Sequence, residues 1–151
     1  MTARKNYRNK KSQKFAFSNG SLRHTVKEWF KDPVKVEREH GPMGTWDVSR
    51  VTNMDELFMN RKWFDEDIGD WDVSNVKSMQ CMFCGAENFD QDIGDWDVSN
   101  VDNMIGMFCC AESFNQNIGG WNTSNVSDMK YMFQDAECFN RDISGWDMSN
   151  V

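Results

Sequence analysis

Acidic and amide side chains recur at a fixed spacing of 25 residues, and their oxygen atoms could bind a hard cation. One column consists of Asp67, Asp92, Asn117 and Asp142. A second column, two residues earlier, consists of Asp65, Asp90, Asn115 and Asn140. Because Ca²⁺ is bound by carboxylate and amide oxygens, Asp67, Asp92 and Asp142 form a candidate calcium column. The alternative is that these side chains accept backbone N–H groups in turns. The sequence lacks the glycine-rich nonapeptide of calcium-binding β-rolls, so the turn interpretation is favoured and no metal is predicted.

Cysteines raise the hypotheses of a zinc site or a disulfide. The chain contains Cys81, Cys84, Cys109, Cys110 and Cys138. Cys84 and Cys109 lie in the same column, so stacked repeats could bring their Cα atoms within disulfide range. A zinc site is disfavoured because a second C-x₂-C pair is missing and no histidine is near in sequence. Small, partly buried side chains are the favoured interpretation.

Residues for catalysis are scarce. His24 and His40 are the two histidines, and neither accompanies a Cys or Ser nucleophile pattern. No phosphate-binding glycine loop occurs. The paired carboxylates recur in tandem, whereas a catalytic site is normally unique. We therefore expect a non-enzymatic protein without a cofactor.

A tandem repeat positions all of these residues. Trp46, Trp71, Trp96, Trp121 and Trp146 recur every 25 residues. They divide the chain into repeats 1 to 4 (residues 46–70, 71–95, 96–120 and 121–145) and a partial copy (146–151). Further columns of Val, Met, Phe, Ala and Ile are predicted to form the core. A repeat of this length indicates a stack in which each unit buries its apolar face on its neighbours.

Apolar spacing within one repeat predicts its secondary structure. Val76, Met79, Met82, Phe83 and Ala86 form one stripe of a short helix. A short strand is expected around the Ile and Trp columns. The predicted fold class is therefore α/β, a leucine-rich-repeat-like solenoid of about four rungs, each a short strand plus a short helix.

Two segments precede the repeats. Residues 21–45 are predicted to form a helical N-terminal cap, with an amphipathic helix near Ser21 and a second helix that starts at Asp32-Pro33 and ends near Gly41. Residues 1–20 form a basic tail, predicted to be disordered, which carries six Lys or Arg and no acid. The net charge of −7 divides into +6 for the tail, +1 for the cap and −14 for residues 46–151.

Targeting signals are sparse. The N-terminus lacks the apolar region of a signal peptide, and no apolar run is long enough to span a membrane. The odd number of cysteines, five in all, is typical of reduced thiols, so we expect an intracellular protein. The basic N-terminus leaves organelle, nuclear or virion targeting open.

The repeat resembles the BspA-like leucine-rich-repeat surface-protein family, which centres on W-D-(V/T)-S-N-V-x-x-M-x-x-M-F followed by A-x-x-F-N-x-D-I. This chain carries that pattern at residues 71–83 with 86–93 and at residues 96–108 with 111–118. The resemblance covers residues 46–151 and extends to the cap sequence VKEWFKDPVKVEREHG. It implies a surface or adhesion role.

We expect a repeat scaffold for protein–protein interaction or structural assembly. The alternative is a surface adhesion-type repeat, and one form of this alternative includes stabilisation by Ca²⁺. The partner-binding candidates are non-repeating positions that break their columns and are expected to be exposed: Arg61, Lys62, Trp63 and Tyr131. Trp63 is expected to pack on the cap helix. Self-association is predicted at the C-terminal end of the stack, which lacks a polar cap. The acidic repeats should repel nucleic acid, which leaves the basic tail as the segment that could bind it.

Overall fold

Two short helices precede the repeats in the computed structural model, which describes residues 15–151. Helix α1 spans Asn19–Trp29 and begins with a capping box between Ser18 and Ser21. Helix α2 spans Pro33–His40, where the Asp32 side chain accepts the Lys35 N–H and proline occupies the first turn. A short 3₁₀ turn at Met43–Thr45 leads into repeat 1. None of the helices in the described residues is long and apolar enough to cross a membrane.

The residues just before α1 pack on repeat 1. Ala16 pairs with Asp47 in a parallel bridge, and the Phe17 N–H donates to the Asp47 carbonyl at 2.8 Å. The Phe17 side chain is buried in the core. Residues 15–20, assigned from the sequence to a disordered tail, are therefore ordered here. The six basic side chains of that tail lie outside the described residues.

The predicted α/β solenoid of strand-plus-helix rungs is wrong. In residues 15–151 the helical segments are α1, α2 and the 3₁₀ turn, and all of them precede repeat 1. The repeats contain isolated parallel bridges, which join Asn53 to Ser78, Ser78 to Asn103 and Asn103 to Asp128, and no extended strand. Each repeat is one loop of chain built from turns and stacked on the next.

The predicted helix over residues 76–86 is replaced by consecutive turns. The Met82 N–H donates to the Met79 carbonyl at 3.2 Å, and the Ala86 N–H donates to the Phe83 carbonyl at 3.0 Å. These bonds span three residues, so they turn apolar side chains inward at nearly the spacing of a helix. Left-handed backbone at Cys81 (φ 52°) and Gly85 (φ 69°) excludes a continuous α-helix.

Alternate backbone N–H groups bond to the next repeat. In repeat 2 the N–H groups of Cys81 and Phe83 donate to the carbonyls of Ile105 and Met107 at 2.8 and 2.9 Å. The equivalent columns make the same bonds between repeats 1 and 2 and between repeats 3 and 4. A helix would have used these N–H groups within itself, whereas here they join successive loops of the stack.

Two columns of phenylalanine rings fill the core. In the first column the centroid of Phe83 lies 5.6 Å from that of Phe58 and 5.6 Å from that of Phe108, with nearly parallel planes. Phe83 also stacks on Phe89 of the second column at 4.0 Å. Each ring therefore contacts rings in its own repeat and in its neighbours, which explains the high phenylalanine content.

The cap covers repeat 1 and supplies polar groups in place of the hydrogen bonds that a preceding repeat would make. The Arg23 Nη1 donates to the Asp55 carbonyl at 2.7 Å. In repeat 2 the carbonyl in the same column, that of Gln80, accepts the Glu56 N–H of the preceding repeat. The Asn19 Oδ1 accepts the Thr52 N–H at 2.8 Å. The backbone of Thr52 is thus bonded to the first residue of α1.

Replacement of Phe83 by alanine tests the stacked core. Phe83 is fully buried, whereas Phe133 occupies the same column in repeat 4 and is half-buried. We expect Phe83→Ala to lower the free energy of unfolding by about 3–5 kcal/mol and Phe133→Ala to lower it by clearly less. Urea titration measures both values. Equal losses would contradict the stacked arrangement.

Candidate functional site

The candidate calcium column lies in local turns. The Oδ1 atoms of Asp67, Asp92 and Asp142 accept backbone N–H groups two residues later at 3.1, 3.0 and 2.9 Å. No group of three or more His, Cys, Asp or Glu within the described residues is placed to hold a metal ion. The turn interpretation describes these contacts, and the calcium alternative stays a prediction.

The second acidic column is stabilised by contacts between repeats. The Asp65 Oδ1 accepts the Asp90 N–H at 3.0 Å, and the Asp90 Oδ1 accepts the Asn115 N–H at 2.8 Å. Backbone dipoles thus offset the repulsion that stacked carboxylates would otherwise create. The column therefore contributes to the stacking of the repeats.

The Trp-Asp-x-Ser segment of each repeat forms a recurrent turn. The Trp96 Nε1 donates to the Ile68 carbonyl of the preceding repeat at 3.2 Å. The Asp97 carboxylate accepts the Ser99 N–H at 3.0 Å. The hydrogen bonds from Ser99 side chain and backbone lower the pKa of Asp97, and Ser149 does the same for the pKa of Asp147.

Four of the cysteines lie near one another on repeats 2 and 3. Cys109 Sγ and Cys110 Sγ are 3.7 Å apart, and all four are half-buried free thiols. Burial is the main cause that raises the pKa of Cys81, Cys84 and Cys109. A hydrogen bond with Cys109 is the main cause that raises the pKa of Cys110. Neutral thiols of this kind are weak nucleophiles, consistent with small packing residues.

Trp63 does not pack on the cap helix, so that expectation is wrong. Its side chain is 76% exposed, the most exposed of the large apolar side chains in residues 15–151. The Lys62 Nζ lies 5.4 Å from its ring centroid and also pairs with Glu87 at 2.5 Å. Trp63 therefore stands at the surface beside a lysine.

Two adjoining grooves lie where the cap meets repeat 1. The first is lined by Trp29, Phe30, Arg61, Lys62 and Trp63, among others. The second shares Phe30 and Arg61 with the first and adds His24, Lys27, Glu28 and Lys31. We call these two grooves together the junction surface. It combines the exposed ring of Trp63 and the half-buried rings of Trp29 and Phe30 with several cations.

Contacts across the junction surface are cationic and aromatic. The Arg61 guanidinium carbon lies 4.3 Å from the centroid of the Phe30 ring. The Trp29 Nε1 is buried and has no hydrogen-bond partner among the described residues. The sequence predicted Arg61, Lys62 and Trp63 but missed the contribution of α1. The signal was present, because Lys27 lies in the last turn of α1 and Lys31 follows soon after its end, so that two cations are close in sequence where the helix stops.

The remaining candidate, Tyr131, lies elsewhere. It is 68% exposed on repeat 4 and lines an apolar surface with Met132, Phe133, Trp146 and Met148. Repeats 2 and 3 separate it from the junction surface, so the structure groups three of the four candidates and leaves Tyr131 apart.

Predicted self-association at the end of the stack meets a steric constraint. At Gly69 and Gly94 an added Cβ would lie 2.6 and 2.5 Å from a carbonyl oxygen of the next repeat. Ser144 occupies this column in repeat 4. An identical repeat stacked there in the same geometry would collide with the Ser144 Cβ. Association through this face, which stays a prediction, calls for a different geometry.

Stacked loops joined through the backbone, with a helical cap on repeat 1, define a tandem-repeat protein. A family model described as "Mycoplasma protein of unknown function, DUF285" matches residues 24–146. The match covers most of the chain, from α1 through repeat 4, and the chain belongs to this family. No curated protein and no solved structure matches the chain.

The pH dependence of stability tests the recurrent turn. A carboxyl whose pKa is lower in the folded than in the unfolded chain stabilises the fold above its unfolded pKa of about 3.9, and this stability is lost as the pH falls through the folded value. We expect the urea midpoint to be nearly constant near neutral pH and to fall in acid. Asp97→Asn should reduce this fall, since Asn122 shows that asparagine is accepted in the column. Identical pH profiles for the two proteins would contradict the proposed role of Asp97.

Addition of calcium tests the alternative for Asp67, Asp92 and Asp142. Because their Oδ1 atoms are engaged in turns, we expect the same melting temperature with Ca²⁺ and with a chelator. Circular dichroism measures this temperature. A clear rise with Ca²⁺ that Asp92→Asn abolishes would support the calcium alternative, because a ligand that binds the folded state stabilises it.

Proposed function

We propose that the chain is a non-enzymatic repeat scaffold of the BspA-like type that binds a protein partner through the junction surface. The observation that carries the proposal is the exposure of Trp63 beside Arg61 and Lys62. Trp and Arg are the residues most enriched among those that dominate the binding energy of protein interfaces.

Comparison with the other repeats supports a role beyond packing. The segment Arg61-Lys62-Trp63 occupies columns that read Ala-Glu-Asn, Ala-Glu-Ser and Ala-Glu-Cys in repeats 2 to 4. Arg61 has a structural reason, because it covers Phe30 of the cap. Trp63 has no such reason: the same turn forms with Asn88, Ser113 or Cys138 in its place.

The proposal applies to an intracellular scaffold and to a surface adhesion-type repeat, since both bind through an exposed protein surface. It makes no use of the tandem carboxylates, which are engaged in turns and stacking contacts. The non-enzymatic part of the proposal is supported by the recurrence of those carboxylates. A polar set repeated along a stack is typical of a structural role.

Affinity capture with matched variants tests the proposal. Trp63→Ser introduces the residue found at Ser113, so the fold should be retained. Val34→Ser serves as the control, since Val34 is 67% exposed on α2 and lines neither groove of the junction surface. We expect native cell extract to yield a protein that the wild type and Val34→Ser retain and that Trp63→Ser loses.

Retention of the same proteins by Trp63→Ser would overturn the proposal. Circular dichroism melting of each variant verifies that the fold is intact. Removal of residues 1–14 in a parallel sample separates binding by the junction surface from binding by the basic tail. Capture that depends on the tail alone would also count against the proposal.

A further inference from the structure

We propose that the junction surface recognises a short acidic polypeptide segment that carries an aromatic or aliphatic side chain. This inference rests on the proposed function and specifies the chemistry of the partner. Three observations support it: a concentration of cations, the availability of two of those cations, and an apolar surface that adjoins the cations.

Within residues 15–151, which are acidic overall, cations are concentrated on the junction surface. Residues 15–151 contain 11 Lys and Arg and 24 Asp and Glu. Four of those 11 cations, Lys27, Lys31, Arg61 and Lys62, line the two adjoining grooves, together with His24. Glu28 is the carboxylate that lines these grooves, and Glu87 pairs with Lys62 beside them. The local charge is therefore opposite in sign to that of the repeats.

Two of these cations are free to meet a ligand. Lys31 pairs with Glu28 at 2.7 Å, and Lys62 pairs with Glu87 at 2.5 Å. Neither Lys27 nor Arg61 has an ion-pair partner within residues 15–151. The Phe30 ring orients the planar guanidinium of Arg61 at the boundary between the grooves. An oriented guanidinium can bind a carboxylate through two parallel hydrogen bonds.

An apolar surface adjoins these cations. Trp63 and the half-buried ring of Phe30 line one groove together with Trp29. A charged ligand without an apolar group would leave these rings in water. A side chain such as Phe or Leu, inserted between flanking carboxylates, would cover them and add the apolar burial that gives an interface its affinity.

The charge of the repeats favours a short segment over a nucleic acid. Residues 46–151 carry a net charge of −14, and the acidic columns continue along the stack from repeat 1. A long polyanion that extends beyond the grooves would be repelled by these columns. Electrostatic effects fall off over about 8–10 Å at physiological salt, so a segment confined to the junction surface experiences mainly its cations.

Peptide binding to the full chain tests this inference. The probe is a short fluorescein-labelled peptide in which Asp and Glu flank one Phe. Its two controls carry Asn and Gln in place of the acids, or Ser in place of the Phe. We expect fluorescence anisotropy to show binding of the probe that is at least about tenfold tighter than binding of either control and that weakens as salt is raised.

Paired charge variants locate the binding site. Lys27→Gln with Lys31→Gln removes two cations of the junction surface, whereas Lys35→Gln with Arg38→Gln removes two exposed cations of α2 that line neither groove. Both double variants have the same net charge. The first should weaken probe binding about tenfold, and the second should leave it within about twofold of the wild type.

Each contrary outcome has a distinct meaning. Equal binding of the acidic probe and its Asn and Gln control would overturn the inference, as would tighter binding of single-stranded DNA of the same length. Equal effects of the two double variants would also overturn it.

If the probe does not bind while capture of a protein still depends on Trp63, the proposed function stands and an acidic partner is excluded. Dimerisation of the chain in sedimentation, lost on Lys27→Gln with Lys31→Gln, would identify a second copy as the occupant and contradict a separate partner.

Discussion

The rest of the structure depends on the hydrogen bonds that alternate backbone N–H groups of one loop donate to carbonyls of the next loop. Because the N–H of Phe83 bonds to Met107 of the following repeat, the chain advances by one layer for each repeat. The layers then place phenylalanine over phenylalanine, and glycine is required at Gly94 because the carbonyl of Asn117 lies there. The packing of the core and the hydrogen bonds between loops thus depend on the same spacing between layers.

The cap provides hydrogen-bond partners for the backbone groups of repeat 1 that have no preceding repeat, and it creates an environment that the repeats do not contain. Arg23 and Asn19 supply side-chain groups where the inner repeats use a neighbouring backbone. Phe30 brings a ring that Arg61 covers. Cationic and aromatic side chains therefore occur together where the cap meets repeat 1, because residues there contact helices and need not match the residue type of their column in the other repeats.

The sequence predicted both cap helices and the buried apolar columns, but the secondary structure that it predicted for each repeat was wrong. The stripe from Val76 to Ala86 satisfies a helix and a series of turns equally well, because both return the chain to the core every three or four residues. The destination of the N–H groups distinguishes them, and a sequence does not state it. A clue was present in one column, where three of the four residues, Asn60, Gly85 and Asp135, are types that accept left-handed backbone, and Cys110 is the fourth. Arg61, Lys62 and Trp63 were found because they break columns, whereas Lys27 was missed because the cap has no column to break.

The difference between the cap junction and the uniform stack has an evolutionary consequence. Duplication or loss of one repeat unit in the gene would lengthen or shorten the stack by one layer and leave the contacts of Arg23 with Asp55 and of Arg61 with Phe30 intact. Descendants with different copy numbers would therefore keep the same junction surface. The number of repeats and the composition of the junction surface can be selected independently in a chain built this way.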